Sequence, residues 1–540
     1  MSGYLTKVNQ VKYLLSKEIE FNDSENDEII KDNYNKFKQW LINNGCIISG
    51  IEFPIQYSNL NIIGCKTTKY IDINTAMFFI PYHIVINSNT ITKYNYFKGI
   101  IVTNGLKLTL FLIEEYMNIQ HSKWKEYIEL ILQNDYCVFP VNYPPEILSN
   151  LPKELIIKIN EYSSEIEEYY NSVKKHFKHY NDKFTFDIFK TFYLFVISRQ
   201  FYISNQISIL VPFADMLNHN DSVDIKYEFF DSENYVMKCT ANLDKENVKD
   251  NLSAFTKCDL YYQHYNSNNN NIHKVYKEVT APLIEEEDEL CLRTSDYFCI
   301  STNKQQVFQQ GEQVYNNYGN DSNASLLVNF GFCLINNQYD YTVLTVSLPK
   351  NEDNVNNVVD KIARVKKDIK KNYNVKIVIN KNNICFDVKI KHNKINKKLF
   401  RILSLLYCDF SNNSMIVIID KIIDILNDAI TKSQQTIDID KSLTYLIEML
   451  NYNELTKTQK INFMITIYQI TQQVNLLIQR DYYLILKEVI YQYEINNKPK
   501  HNINEIIEQI CANKHSEYIE SNIIKNNIIS FINKISKLTI

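Results

Sequence analysis

Two short blocks, about a hundred positions apart, constrain this chain more than any bulk property does. Residues 211–219 read VPFADMLNH, an apolar run that stops on Asp215, Asn218 and His219. A strand that ends on such polar side chains delivers them to a site. Residues 311–332 read GEQVYNNYGNDSNASLLVNFGF. A strand-like stretch leads to Tyr318 and Gly319, Asn323 follows, a helix-like pattern covers 324–327, and Gly331 and Phe332 close the block. Taken singly these are weak signals: Asp215 could cap a strand end and Gly319 could simply make a turn. Their order along the chain is what carries information.

Composition removes several classes. The 540 residues suit two to four domains, or one interrupted domain plus another. With 58 basic against 62 acidic residues the net charge is −4, which gives no footprint for nucleic acid. No apolar run reaches the roughly 18 residues of a membrane span, and the opening MSGYLTKVNQVKYLL lacks the apolar core of a secretory signal. Eleven Cys without a CxxC pair point to reduced thiols, hence to cytoplasm or nucleus, and to no metal centre. Gly is scarce, at nine in all, and there is no GxGxxG after a first strand. A Rossmann-type cofactor site needs that turn for close backbone approach. P-loop, HExxH and GxSxG motifs are missing as well. A monomer without nucleic-acid or membrane partners is expected.

Along the chain, residues 1–34 are polar and helix-prone, an arm or cap. From Phe37, FKQWLINNGCIISGIEFPI reads as helix, turn at Asn44 and Gly45, then strand. NIIGCKTTKYIDINTAMFFIP follows, with Gly64 at a turn and a strand ending at Pro81. Residues 105–195 show apolar spacing of three and four, the mark of amphipathic helices. Trp124 and Tyr127 fall in that stretch and read as core. YLFVISRQF at 193–201 stays apolar until Ser198 and Arg199. An arginine there is ordinarily a surface or capping residue, but its place just ahead of the 211–219 block makes it a site candidate. KYEFF and YVMKCTANL are strand-like and carry Tyr227 and Tyr235. Residues 244–293 include SNNNN and a run of five acids, and read as a solvated insertion. An acidic arm recruiting a basic substrate is the second reading. From about 345, long amphipathic runs return, parted by the strand-like VKIVINKNNICFDVKI.

Ser198 and Arg199, then VPFADMLNH, then GEQVYNNYGNDSNASLLVNFGF, in that order, resemble SET-domain protein methyltransferases. The branch they resemble is that of the plant Rubisco large-subunit methyltransferase. The resemblance implies an α+β fold: short β-sheets with a pseudoknot over 35–345, interrupted by the helical insertion and followed by a mainly α-helical substrate-binding domain over 346–540. It implies S-adenosylmethionine as cofactor and a protein lysine as acceptor. No Cys-rich zinc clusters flank the domain, so a non-histone protein is the expected substrate. By position, Tyr318 is the catalytic tyrosine. Arg199, Asp215, Asn218, His219, Tyr318 and Phe332 are cofactor-binding candidates, Phe332 by stacking on adenine. The family has Glu-Gly-Leu/Phe-Gly where this chain has Asn61, Ile62, Ile63 and Gly64, so Asn61, Ile63 and Gly64 are candidates for backbone contacts although only the last glycine is kept. Phe201, Tyr227 and Phe330 are candidates for the substrate channel.

The acceptor follows from chemistry and from one position. Lysine with pKa near 10.4 is less than ~0.1 % neutral at pH 7, so about 4–5 kcal/mol separates it from full deprotonation. A cationic sulfonium and an apolar channel both lower that pKa, and alignment contributes several kcal/mol more. Relatives that methylate an actin histidine carry Asn two residues after the Ser-Arg arginine and Arg three after the tyrosine. Here those places hold Phe201 and Asp321, and an aromatic at 201 suits the aliphatic stem and neutral amine of lysine while lacking a polar partner for an imidazole. The alternatives are a protein-histidine methyltransferase and a catalytically silent SET-fold binding protein.

Overall fold

The computed structural model describes residues 3–20, 25–48, 50–91, 102–204, 207–231, 236–239, 297–349, 377–379, 383–392, 394–407, 415–434, 437–452, 454–495, 506–510, 516 and 518–535. The expected 244–293 insertion, Tyr235 and the first of the amphipathic runs expected after 345, NVNNVVDKIARVKKDIKK at 354–371, lie outside them.

The chain opens with helices α1 (Gly3–Ser16) and α2 (Glu25–Asn43), with strand β1 (Glu18–Ile19) between them. The expected arm boundary at 34 therefore falls inside α2. Strands β2 (Ile47–Ile48), β3 (Ile51–Tyr57), β4 (Ile62–Thr67), β5 (Ala76–Pro81) and β6 (Ile86–Asn87) come next. Every residue of β5 is buried, as its unbroken apolar AMFFIP requires.

The helical insertion follows. It contains α3 (Asn104–Met117), α4 (Lys125–Gln133), α5 (Pro145–Leu148), α6 (Lys153–Val173) and α7 (Phe186–Arg199). Thr103 caps α3 by accepting from the Leu106 N–H, and Thr185 caps α7 by accepting from Ile188; each side chain satisfies a donor that the first helical turn leaves free. The chain then returns to short strands: β7 (Phe201–Ser204), β8 (Ile207–Leu210), β9 (Asn218–His219), β10 (Ile225–Asp231), β11 (Val236–Cys239), β12 (Tyr297–Thr302) and β13 (Gln313–Asn316). Helix α8 (Asn323–Phe330) closes this half, capped by Ser322 at its start and by Gly331 in the left-handed region at its end.

Among the described residues the strands of this half form three small sheets, ordered β1-β3-β4-β13-β9, β11-β10-β12-β5-β2 and β6-β8-β7. The next sheet, β14-β16-β15, belongs to the junction with the last part of the chain, and the domain boundary expected at 345 falls inside β14 (Tyr341–Pro349). Its partners are β15 (Ile377–Ile379) and β16 (Asn383–Lys391). The remainder is helical: α9 (Lys397–Tyr407), α10 (Met415–Gln434), α11 (Ile439–Met449), α12 (Lys457–Ile495) and α13 (Ser521–Ile535). The architecture is α+β, as the sequence reading expects.

One buried apolar cluster runs through both halves, from Phe213 beside β9 to Leu486 in α12. Helix α1 buries Tyr4, Val8 and Val11, and it lies against α11, where Lys7 Nζ donates to Asp440 Oδ1 at 2.7 Å and to Thr444 Oγ1 at 2.9 Å. Among the described residues no helix is long and apolar enough to cross a membrane, and no group of three or more His, Cys, Asp or Glu could hold a metal ion.

Candidate active site

The two sequence blocks meet at β13. Along one edge β13 pairs antiparallel with β4, with Gln313 opposite Lys66 and Val314 opposite Cys65. Along the other it pairs parallel with β9, with Tyr315 opposite Asn218 and Asn316 opposite His219. The pairing extends one step further, where the Asn220 N–H donates to the Asn316 carbonyl at 2.9 Å. Asn218 Nδ2 crosses behind β13 to donate to the Ile63 carbonyl at 3.2 Å. Segments 61–64, 218–219 and 313–318 are thereby locked at one point. Gly64 sits under that crossing. A Cβ there would stand 2.6 Å from Asn218 Nδ2 and 2.7 Å from Gln313 Nε2, so any side chain would have to displace both amides, and with them the Asn218 bond to Ile63.

The turn ahead of β9 is strained. Phe213 has φ 79° and ψ −49°, a region L-residues rarely occupy. Packing holds it there, since the ring sits edge-on between Phe53 (5.4 Å) and Phe78 (5.0 Å). This conformation turns the chain into the short 214–216 helix and points the main chain of 215–217 toward Tyr318 and Arg199.

Tyr318 is fixed at both ends. Its N–H donates to His219 Nδ1 at 3.1 Å, and its hydroxyl donates to the Leu217 carbonyl at 2.7 Å. Nδ1 can accept only in the neutral ring. Burial holds the imidazole below its ordinary pKa, which keeps it neutral. Burial also pushes the Tyr318 phenol up to about 12, with Arg199 opposing, so it stays a donor through neutral pH. Gly319, at φ 117°, carries the chain away, and its N–H donates to Asn317 Oδ1 at 2.9 Å. Rings then gather: His219 stacks on Tyr318 at 5.1 Å, Phe330 lies 5.2 Å from Tyr318, and Phe332 lies 5.9 Å from His219.

Arg199 ends α7 beside this cluster. It donates from Nη1 to the main-chain carbonyl of Asp215, and its guanidinium lies 5.3 Å over the Phe195 ring. Asp215 itself turns away. It is 4 % exposed, its Oδ2 accepts from the Tyr127 hydroxyl at 2.6 Å, and burial, against the pull of Arg199, raises its pKa to about 6. A carboxylate removed from water carries a desolvation penalty that the Tyr127 bond and the nearby guanidinium offset only in part, as the raised pKa shows.

A cavity of about 730 Å³ opens beside Tyr318. Asn61, Ile63, Arg199, Asn218, His219, Tyr318, Phe330 and Phe332 are in its wall. Gly64, Asp215, Phe201 and Tyr227 are not; they stand one layer back. Phe201 and Tyr227 meet edge-on at 5.1 Å over Phe298, and the Tyr227 hydroxyl donates to Asn316 Oδ1. The wall also holds residues that the sequence reading did not single out. Leu15 comes from α1 and Tyr34 from α2; Phe463, Met464 and Ile467 come from α12. Gln56, Gln133 and Asn336 are there too, with Gln56 Oε1, Gln133 Nε2 and Asn336 Oδ1 buried and unpartnered among the described residues. Only Gln56 left a trace in the sequence, as a polar residue inside the strand-like IEFPIQY.

No protein-family model matches the chain. A curated relative, ribosomal lysine N-methyltransferase 3 of Saccharomyces cerevisiae, is 29 % identical over 145 residues, which is 24 % of this chain and 26 % of that protein. The chain thus spans about a quarter of the length of the curated relative it matches. Among solved structures, the SET domain of LSMT bound to lysine and AdoHcy is 16 % identical, covers 89 % of this chain and 98 % of that one, and has a TM-score of 0.48. Rubisco LSMT bound to AdoMet is also 16 % identical, covers 88 % and 99 %, and has a TM-score of 0.47. Both the relative and these structures are proteins to which the chain is similar, at low identity.

Proposed function

We propose that the chain is a split-SET, S-adenosylmethionine-dependent protein-lysine N-methyltransferase acting on a non-histone protein. One observation carries this reading: a protonated phenol, pinned between His219 and the Leu217 carbonyl, stands with Phe330 and Phe332 at the wall of a cavity that also holds Asn218 and Arg199. The stretch of likeness to a ribosomal lysine N-methyltransferase supports the acceptor class.

The residues fit the cofactor. A volume of about 730 Å³ lies within the range of small-molecule sites. The side-chain amides of Gln56, Gln133 and Asn336 set polar groups in its wall, and Phe332 offers a ring face. Asn218, His219 and Arg199 would hold its amino-acid end and base, with Asn61 and Ile63 contributing main chain. When bound, S-adenosylmethionine supplies a methyl already activated by the sulfonium charge.

The chain's own residues then align and dry the acceptor. The Tyr318 oxygen keeps a lone pair free while its O–H donates to the Leu217 carbonyl, so it can accept an N–H from a neutral amine and orient it. Phe330 and Phe332 exclude water and admit the aliphatic stem of lysine. An apolar wall lowers the amine pKa, because the charged form loses hydration. Asp215 keeps its carboxylate on Tyr127, where it does not add a negative charge to the cavity wall. Cytoplasm or nucleus is the compartment that goes with this reading.

Two measurements test it. Calorimetry should show S-adenosylhomocysteine binding, and absence of heat at high micromolar ligand would favour the silent scaffold. Labelled cofactor with a lysate from cells lacking the protein should give a band whose methyl maps to lysine. A methyl on imidazole would replace lysine by histidine as acceptor.

A further inference from the structure

Helix α12 does more than cover the cavity. Its wall residues Met464 and Ile467 continue, at three- and four-residue spacing, into Thr471 and Asn475, which share the same face. Past Ile467 that face turns polar, although Thr471 is 4 % exposed and Asn475 is 0 % exposed. A buried polar stripe on a long apolar helix needs partners, and it finds them at one carboxylate. Asp340 is 1 % exposed. Its Oδ2 accepts from Gln472 Nε2 at 3.0 Å and from Asn475 Nδ2 at 3.4 Å, both on α12. Its Oδ1 accepts from the main-chain N–H of Asn323 at 2.9 Å, the first residue of α8.

Asn323, 0 % exposed, passes the connection on. Its Nδ2 donates to Thr471 Oγ1 and to the Leu334 carbonyl, each at 3.0 Å, and its Oδ1 accepts from the Leu334 N–H at 3.0 Å. Asn337 Nδ2 donates to Asn323 Oδ1 at 3.1 Å and to the Asp321 carbonyl at 2.9 Å. These bonds bracket residues 321–334 at both ends. Between the brackets lie Phe330 and Phe332, and Tyr318 stands three residues ahead of the first.

We infer that Asp340 is a positioning residue: it ties α12 to the start of α8 and, through Asn323, sets where Phe330 and Phe332 stand against Tyr318. It touches none of the reacting atoms. This deepens the methyltransferase reading and rests on it only for the kinetic part of the test. A half-satisfied buried network is worse than none, so loss of the central carboxylate should loosen the whole bracket rather than one bond.

The test uses hydrogen exchange on the full-length protein, comparing Asp340→Ala with Leu486→Ala, a core truncation in α12 outside the bracket. Conditions are chosen so that both variants have lost the same melting temperature relative to wild type. Peptides covering 318–334 should exchange about tenfold faster in Asp340→Ala and at the wild-type rate in Leu486→Ala. The milder Gln472→Ala, which removes one donor, should show a smaller rise in the same peptides and serves if Asp340→Ala does not fold. Equal exchange in all variants, or a rise spread evenly over the chain, overturns the inference. In the kinetic arm, Gln472→Ala should lower kcat severalfold with KM for the protein substrate within twofold. A change confined to KM overturns it. If the wild type proves not to bind S-adenosylmethionine, the enzymatic reading fails while the exchange result still decides the role of Asp340.

Discussion

At the scale of single residues, Tyr318 separates chemistry from binding. Its ring packs on His219 and Phe330, and its hydroxyl makes one bond, to Leu217. Tyr318→Phe keeps the packing and removes the oriented oxygen. Turnover should fall on the order of 10²–10³-fold, the range for loss of a positioned polar group at a reacting centre, while the dissociation constant for S-adenosylhomocysteine stays within about twofold by calorimetry. Unchanged turnover would remove Tyr318 from the mechanism. Asn218→Ala is the complement: it deletes the bond to Ile63 and a cavity-wall amide, and should weaken cofactor binding more than it slows the bound complex. His219 carries a pH signature. Its folded pKa lies below the ordinary value near 6.5, so the folded state binds the proton less readily than the unfolded chain does. The stability that follows is present above pH 6.5 and is lost as pH falls through the folded value, where the imidazolium can no longer accept from the Tyr318 N–H. NMR titration should find this ring changing below pH 6.5; a midpoint at or above it would contradict the assigned hydrogen bond.

At the scale of elements, α8 shows how one glycine places an aromatic wall. Gly331 ends the helix at φ 75°, and a Cβ there would come within 2.9 Å of Val138 Cγ2 and 3.1 Å of Phe139 Cδ2. Gly331→Ala meets both a left-handed backbone, costing about 1 kcal/mol, and a crowded wall, costing about 1–3 kcal/mol. A drop in unfolding free energy of about 2–4 kcal/mol should appear in urea titration, with cofactor affinity falling as well because Phe332 is the next residue. A neutral substitution would mean that the turn relaxes freely. Elements of this kind were largely readable in advance. The apolar spacing of α3, α4, α6 and α7 is local, and so are the Thr and Ser caps. The blocks ending at His219 and Phe332 named the chain segments that meet. What periodicity does not contain is the pairing itself: β9 and β13 are two- and four-residue strands about a hundred positions apart. Thr471, Gln472 and Asn475 were hidden for another reason. In a chain rich in Asn, polar residues on an amphipathic helix look like solvated positions until Asp340 is seen beneath them. Gln133 and Asn336 were hidden likewise, since an unpartnered atom is a property of three-dimensional packing alone.

At the scale of the molecule, the first and last parts of the chain close around the middle. Helix α1 lies on α11, β1 adds to the edge of the sheet carrying β4 and β13, and Leu15 reaches the cavity that α12 walls from another side. Asn59, just past β3, donates from Nδ2 to the Met449 and Tyr452 carbonyls at 2.7 and 2.8 Å. Two kinds of force hold α1 in place, and their magnitudes decide which matters. The Lys7–Asp440 ion pair has side chains 28 % and 75 % exposed, and such pairs contribute less than about 1 kcal/mol after screening and side-chain entropy. Val8 and Val11 are 1 % and 0 % exposed, and truncating a buried aliphatic side chain to Ala costs about 1–3 kcal/mol. Lys7→Ala should therefore leave the unfolding midpoint in urea nearly unchanged, and Val11→Ala should lower it clearly. Val11→Ala should also weaken cofactor binding, because Leu15 follows one helical turn later on the same element and lines the cavity. If instead Lys7→Ala were the more damaging change and high salt reproduced its effect on wild type, electrostatics rather than burial would be what fastens α1 to the rest of the protein.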